Sequence, residues 1–174
     1  MQIGFIGVGA MGGGLARNLI RAGKSVLIYD INAAAVEKTL AAGTSGKAVQ
    51  NAADLAGCDL VFTSLPLPAH LQETMLGDAG LLAKMSPGAV YIDVSTIDPG
   101  TARELQAAAK EKCIGFLECQ LGKTPAQAES TEDTIILGCD EAVYQNVKDI
   151  LEIIGNPVTY IGTVEDASAV KLIS

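Results

Sequence analysis

The chain has 174 residues, 49% of them hydrophobic, and a formal net charge of −8. This length predicts one domain with ample material for a core. The negative charge, with no stripe of basic residues, argues against a nucleic-acid partner, and no apolar run approaches the ~20 residues that span a bilayer. No signal peptide precedes the first predicted strand, and the four cysteines match no zinc or CxxC spacing. We therefore expect a reducing, cytoplasmic location without a metal site.

Apolar strand-like runs alternate with helical stretches along the chain. Strands are predicted at 2–6, 25–30, 59–63, 89–93, 114–118, 133–138 and 157–161. Helices are predicted at 11–22, 32–42, 68–76, 98–110, 140–154 and 165–174, with a short helix near 50–56 and a turn near 79–84. Several strands are continuous apolar runs, which is typical of parallel strands buried on both faces. We predict an α/β fold with a doubly wound, mainly parallel sheet of the Rossmann type.

The segment after the first predicted strand carries a binding signal. Gly7, Gly9 and Gly12 form a G-x-G-x-x-G pattern between a strand and a helix. Gly7 allows the tight turn, Gly9 lets a pyrophosphate approach the backbone, and Gly12 lets the helix pack on the strand. The diphosphate would bind free N–H groups at the positive helix end. The pattern predicts a dinucleotide site, against the alternative of a glycine turn without a ligand.

Asp30 ends the second predicted strand, 18 residues after Gly12. An acid at this place can accept hydrogen bonds from a ribose 2′-hydroxyl, whereas it would repel a 2′-phosphate. Ile31 and Asn32 follow, with no arginine of the kind that reads NADP. We therefore predict NAD as the cofactor and NADP as the weaker ligand. The alternative role for Asp30 is to cap the helix at 32–42, and both roles could coexist.

Four ordered segments of the chain together resemble the β-hydroxyacid dehydrogenase family, which includes 3-hydroxyisobutyrate and 6-phosphogluconate dehydrogenases. They are the glycine fingerprint at 4–12, Ser64-Leu65-Pro66, the D-x-S-T-x-x-P segment at 93–99, and Val170-Lys171-Leu172-Ile173. The resemblance implies that the pyrophosphate contacts Gly7, Gly9, Ala10, Met11 and Gly12. It further implies that Leu65 and Pro66 wall the cofactor and that Thr96 lies near the nicotinamide.

The resemblance also implies a catalytic role for Lys171. Hydride transfer at a carbon that bears oxygen needs a proton moved at that oxygen, and Lys171 would move it as general acid or base. The alternative is a solvent-facing lysine on a helix. In the family an all-helical domain follows, completes the site and usually builds the dimer. The helix at 165–174 has no stop signal, so we expect a truncated chain: a dinucleotide-binding domain at 1–164, then the start of an interdomain helix at 165–174.

A departure from the family lies in the segment after the fifth predicted strand. Where the family usually carries a serine and two glycines, this chain has Gly122, Lys123 and Thr124. This variant is similar to that of sulfolactaldehyde reductases and implies a differently placed carboxylate or a sulfonate on the substrate. We predict that Gly122, Lys123, Thr124 and Ser95 bind the substrate. Lys123 could instead be simply solvated, and Ser95 or Thr96 could instead cap the helix at 98–110.

The sequence as a whole predicts the cofactor-binding domain of an oxidoreductase. It would transfer a hydride between NAD and a small anionic β-hydroxyacid or semialdehyde, with no nucleic-acid or membrane partner and as a homo-oligomer in the full-length protein. One alternative is a non-catalytic dinucleotide-binding module for sensing or scaffolding. Another is an enzyme similar to imine reductases. His70, the sole histidine, is interpreted as structural or peripheral, and the strand-end acids Asp93 and Glu118 are interpreted as ordering loops.

Overall fold

The computed structural model describes residues 1–122, 124–132 and 134–171, without the side chains of Ser168 and Lys171. The strands in these residues are Gln2–Ile6 (β1), Ser25–Tyr29 (β2), Gly46–Ala48 (β3), Leu60–Thr63 (β4), Val90–Asp93 (β5), Gly115–Leu121 (β6), Ile135–Gly138 (β7) and Val158–Tyr160 (β8). The α-helices are Ala10–Arg21 (α1), Ala33–Leu40 (α2), Pro68–Met75 (α3), Pro99–Glu111 (α4), Pro125–Glu129 (α5), Glu141–Ile154 (α6) and Val164–Lys171 (α7). Short 3-10 helices lie at Ala52–Leu55 and Leu81–Ala83.

All strands join one sheet in the order β3-β2-β1-β4-β5-β6-β7-β8. The pair β6–β7 is antiparallel and the other pairs are parallel. From β1 the chain builds outward through β2 and β3, and then crosses back to place β4 on the other side of β1. This reversal is a topological switch point, and doubly wound sheets bind ligands beyond the carboxyl ends of the strands at such a point.

Helices cover both faces of the sheet, because its central strands are apolar on both faces. On one face α1 and α6 pack into a core; their buried side chains there are Leu15, Leu19, Val147, Ile150 and Leu151. On the other face α3, α4 and the start of α7 form a second core; their buried side chains there are Leu71, Met75, Leu105, Ala109 and Val164. The sheet is therefore the middle of three layers, with a helical layer on each face.

The predicted α/β fold with a doubly wound, mainly parallel sheet is confirmed. Two elements were not predicted. β3 is a three-residue edge strand of Gly46, Lys47 and Ala48, which has no apolar pattern to reveal it. α5 has five residues and buries only Ala128. None of the helices within the described ranges is long and apolar enough to cross a bilayer.

Candidate cofactor-binding cleft

A cleft of about 1070 Å³ lies beyond the carboxyl ends of β1, β2, β4 and β5. Its walls come from the glycine turn after β1 and from the loops that follow the other three strands. The residues predicted to bind the cofactor all line it: Gly7, Gly9, Ala10, Met11, Gly12, Asp30, Leu65, Pro66 and Thr96. The fold therefore gathers at its switch point segments that lie up to 89 residues apart in sequence. Their contact with a cofactor remains a prediction.

The three glycines of the turn meet different surroundings. Gly7 has φ +86°, and a Cβ there would lie 2.1 Å from the carbonyl oxygen of Ser64. A Cβ on Gly12 would lie 2.1 Å from the carbonyl oxygen of Gly7. A Cβ on Gly9 would have nothing within 4 Å. Gly7 and Gly12 are thus required by the fold itself, whereas the space beside Gly9 is open for a ligand to approach the backbone.

Helix α1 begins at this turn without a side-chain cap. Gly9 is the N-cap residue and makes no side-chain hydrogen bond, and the first intrahelical bond joins Gly13 N–H to Gly9 O at 2.9 Å. The N–H groups that precede Gly13 in the helix have no intrahelical acceptor, because none exists one turn earlier. Such a helix start, next to open space at Gly9, fits the charge and size of a diphosphate.

Asp30 is half-buried and holds the glycine turn in place. Its Oδ2 accepts a hydrogen bond from Val8 N–H at 2.8 Å, and its Oδ1 accepts one from Asn32 N–H at 2.8 Å. The cap of α2 is Asn32, whose Oδ1 accepts from the N–H groups of Ala34 and Ala35. The alternative in which Asp30 caps this helix is therefore wrong. Asp30 lines the cleft, and no Lys or Arg is found among the described residues around it.

Ser95 lines the cleft, and its hydroxyl is bonded to the loops that surround it. It is 4% exposed, and its Oγ donates to Asp93 Oδ1 at 2.7 Å and accepts from Leu65 N–H at 2.9 Å. Asp93 is fully buried and also accepts a bond from Thr63 Oγ1 at 2.7 Å. The hydroxyl predicted to bind substrate is thus already engaged on two sides. Substrate binding by Ser95 stays a prediction.

Thr96 also lines the cleft and differs from Ser95 in being exposed. The alternative role of Ser95 or Thr96 as a helix cap is wrong. Asp98 is the N-cap of α4, and its carboxylate accepts from Thr101 N–H at 3.0 Å and Thr101 Oγ1 at 2.7 Å. These two hydrogen bonds lower the pKa of Asp98.

Two described residues after β6 lie outside the lining of the cleft. Leu121 lines the cleft, but Gly122 and Thr124 do not. Gly122 N–H donates to Thr134 O at 3.0 Å, and the Thr124 hydroxyl donates to Gln127 Oε1 at 3.1 Å at the start of α5. The structure thus gives the two predicted substrate-binding residues local partners.

The side chains of two further predicted site residues lie outside the described part of the chain. Lys123 lies outside the described residues. Lys171 is the last residue of α7, and its side chain lies outside the described part of the chain. Helix α7 itself packs on β6, β7 and α4.

Several wall residues of the cleft were not predicted as binding residues. His70, Glu73 and Thr74 line it from α3, and Ile31 lines it with 94% of its surface exposed. The sequence signal for Ile31 was its place directly after the strand-end acid Asp30. An apolar side chain at that place offers a surface for a flat ring. Among the described residues, no group of three or more His, Cys, Asp or Glu side chains could hold a metal ion.

Residues 2–162 match the family described as the NAD binding domain of 6-phosphogluconate dehydrogenase. The chain is 32% identical over 174 residues to 2-(hydroxymethyl)glutarate dehydrogenase of Eubacterium barkeri, which covers 100% of this chain and 58% of that protein. It is 35% identical over 162 residues to NAD-dependent L-serine dehydrogenase of Pseudomonas aeruginosa, which covers 92% of this chain and 54% of that protein.

Among solved structures, 3-hydroxyisobutyrate dehydrogenase of Mycobacterium tuberculosis with L-serine matches at a TM-score of 0.91 and 26% identity. That match covers 99% of this chain and 58% of the other. The chain thus spans between half and three fifths of the length of these relatives.

Proposed function

This chain belongs to the family of NAD-binding domains typified by that of 6-phosphogluconate dehydrogenase, and from that premise we propose its function. It is the cofactor-binding domain of an oxidoreductase that transfers a hydride between NAD and a small β-hydroxyacid or semialdehyde. The observation that carries the proposal is the open space beside Gly9, at the uncapped start of α1, in a cleft that Asp30 lines. The alternative of a glycine turn without a ligand explains Gly7 and Gly12 but not this opening.

The residues proposed to bind the cofactor offer different chemical groups to its different parts. The backbone at Gly9, Ala10 and Met11 offers N–H groups to the diphosphate, while Asp30 offers its carboxylate to the adenosine ribose. NAD, when bound, supplies the acceptor or donor of the hydride. Leu65 and Thr96 line the cleft from the loops after β4 and β5, and we assign them to the nicotinamide half.

The preference for NAD over NADP follows from charge. A 2′-phosphate about 4 Å from the Asp30 carboxylate would cost about 1 kcal/mol in bulk water and about 4 kcal/mol at an effective dielectric constant of 20. That range corresponds to a preference of about tenfold to several-hundredfold. The described lining of the cleft holds no Lys or Arg to offset it, and one relative is by name an NAD-dependent enzyme.

We assign the transfer of the alcohol proton to Lys171. Oxidation of an alcohol carbon requires that a proton leave its oxygen, and a lysine with a lowered pKa in a dry cleft can take it. The assignment rests on the family resemblance, and the packing of α7 on β6 supports it because β6 leads into the loop at 122–124. We assign Gly122, Lys123 and Thr124 to the acid group of the substrate.

The substrate class follows from the names of the relatives. 2-(Hydroxymethyl)glutarate, L-serine and 3-hydroxyisobutyrate each carry a hydroxymethyl group on the carbon next to a carboxylate. We propose a substrate of this class for the complete gene product. Gly122 and Lys123 stand where the family usually has a serine and a glycine that bind the acid group of the substrate. Because of this difference we include sulfonates in the proposed substrate class.

Calorimetric titration of NAD and NADP into the complete gene product tests the cofactor assignment. The native protein should bind NAD at least tenfold more tightly than NADP, and Asp30→Ala should remove most of that difference. Asp149→Ala, which deletes an exposed carboxylate on α6, is the matched control and should leave both affinities unchanged. Equal affinities in the native protein, unaltered by Asp30→Ala, would refute the assignment.

A panel of hydroxymethyl carboxylates and sulfonates with NAD tests the reaction. Lys171→Ala should abolish turnover and leave the dissociation constant of NAD within about threefold of the native value. If Lys171→Ala retained turnover, Lys171 would not be the general acid or base. Tight NAD binding without oxidation of any panel member would favour the non-catalytic module over the enzyme.

A further inference from the structure

The short helix α5 lies against the helix whose start forms the diphosphate site. Gly14 of α1 makes this approach possible, since a Cβ there would lie 3.1 Å from Glu129 N and 3.3 Å from its Cα. Helix α5 begins at Pro125, directly after the loop at 122–124. One helix, α1, therefore carries the glycine turn at its first residues and α5 along its side.

Polar contacts join the two helices, and we name them the α1–α5 clamp: Arg17, Asn18 and Arg21 of α1 with Ala128 and Glu129 of α5. Arg17 Nε lies 2.9 Å from each carboxylate oxygen of Glu129, and Arg17 Nη2 also contacts Oε2. Arg21 Nη2 donates to Oε1 at 2.7 Å. Asn18 Nδ2 donates to the carbonyl oxygen of Ala128 at 2.8 Å, in a buried setting.

The clamp is more than an exposed ion pair. The Arg17 side chain is only 11% exposed, and one carboxylate receives two guanidinium groups, one of them bidentate. Charge-assisted bidentate pairs combine strength with fixed geometry, whereas isolated surface pairs contribute little. The hydrogen bonds from Arg17, followed by those from Arg21, lower the pKa of Glu129 to about 2.

Apart from the clamp, the described part of the chain gives α5 little buried surface. Of its five residues only Ala128 is buried, and Ala128 is the one that joins the core. A helix of this length is unstable by itself, because nucleation costs more than one turn of hydrogen bonds returns. The clamp is thus the main polar attachment of α5 to α1 among the described residues, and through α5 it fixes the position of Thr124 at the start of that helix.

We infer that Glu129 is a positioning residue: through Arg17 and Arg21 it holds Thr124, the residue before α5, at a fixed distance from the diphosphate site on α1. The loop follows β6 at the carboxyl-end edge of the sheet, and Leu121 directly before it lines the cleft. A ligand at this edge that contacts both the glycine turn and the loop needs the two at one separation. The inference rests on the proposed function only in taking that second contact to be the substrate.

Hydrogen–deuterium exchange on the complete gene product tests the clamp without turnover. Glu129→Gln keeps the size of the side chain and removes its charge. It should raise amide exchange at 125–129 about tenfold and leave exchange in α1 unchanged. Glu152→Gln, at an exposed position on α6, is the matched control and should change neither. Exchange at 125–129 that matches the control would overturn the inference.

Steady-state kinetics then separate positioning from mere stability. With the substrate that the native protein turns over best, Glu129→Gln should raise KM about tenfold, with kcat and the dissociation constant of NAD within about threefold. Glu129→Asp, which keeps the charge, should recover part of the KM change. A lowered melting temperature with unchanged KM would show a structural role only and would refute positioning. If no substrate is turned over at all, the proposed function fails, whereas the exchange result still decides the clamp.

Discussion

The glycine turn and the carboxyl ends of β5 and β6 differ in what fixes their residues. At the glycine turn, backbone conformation decides: Gly7 has a positive φ, a Cβ on Gly12 would collide with the carbonyl oxygen of Gly7, and every predicted residue lines the cleft. At the β5 and β6 ends, side-chain partners decide: Ser95 is tied to two neighbours, and Thr124 is engaged at the start of α5. A role set by local backbone geometry can be read from one segment, whereas a role set by distant partners cannot.

The largest expected effect lies at the glycine turn. Gly7→Ala combines a backbone conformation at φ +86° that L-residues rarely adopt with a Cβ placed 2.1 Å from a backbone oxygen. We expect a loss of about 3 kcal/mol or more in the free energy of unfolding. At roughly 2–4 °C per kcal/mol for a domain of this size, the melting temperature measured by circular dichroism should fall by about 6–12 °C or more.

Gly9→Ala is the matched control for that substitution. Its Cβ would meet nothing within 4 Å, so only the preference of the N-cap for glycine over alanine is lost, at about 1 kcal/mol. The melting temperature should therefore fall by about 2–4 °C, less than for Gly7→Ala. The methyl group would occupy the open side of the turn and should raise the dissociation constant of NAD at least tenfold. Equal melting temperatures for the two variants would contradict the distinction between these glycines.

The fold was predictable from the sequence where each element carries its own pattern. The buried strands after the glycine turn, and the glycines themselves, belong to this group. α5 also had a local signal that was not used: Thr124, Pro125 and Gln127 form a capping box with proline at the first helical position,. β3 had none, because a three-residue edge strand receives its conformation from pairing with β2.

The roles of Ser95 and Glu129 could not be predicted for a different reason. Ser95 meets Leu65 from 30 residues away, and Glu129 meets Arg17 from 112 residues away. No periodicity within either segment encodes such a partner, because the packing of the whole sheet brings the segments together. Asp30 shows the same limit, because the N–H group that its Oδ2 accepts from belongs to Val8, 22 residues earlier.

A smaller effect is expected at the β5 end. Ser95→Ala removes the acceptor of Leu65 N–H and one donor to the buried Asp93 carboxylate. Leaving a buried donor unsatisfied costs about 1–3 kcal/mol, so urea unfolding should show a loss of this size. Thr96→Ala, at the exposed neighbour, should stay within about 0.5 kcal/mol of the native value. The reverse order would assign the loop contacts to Thr96 and reverse our comparison of the two regions.

The smallest expected effect concerns pH at the clamp. The pKa of Glu129 is lowered to about 2 in the folded protein, from an ordinary value of 4.5, because its carboxylate accepts hydrogen bonds from Arg17 and Arg21. Because the folded pKa is the lower one, the clamp contributes its stability above about pH 4.5 and loses it as the pH falls toward 2. The Glu129 side chain is 35% exposed, so solvent screening limits this contribution to about 1 kcal/mol or less.

Comparing urea unfolding of the native protein and Glu129→Gln at several pH values isolates this contribution. The difference in unfolding free energy between the two proteins should be largest near pH 6 and should shrink steadily between pH 4.5 and 2. Other carboxylates titrate over the same range, but they do so in both proteins and cancel in the difference. A difference that stays constant with pH would mean that the Glu129 charge adds nothing, and that α5 is held by Asn18 and Ala128 alone, as at an ordinary helix contact.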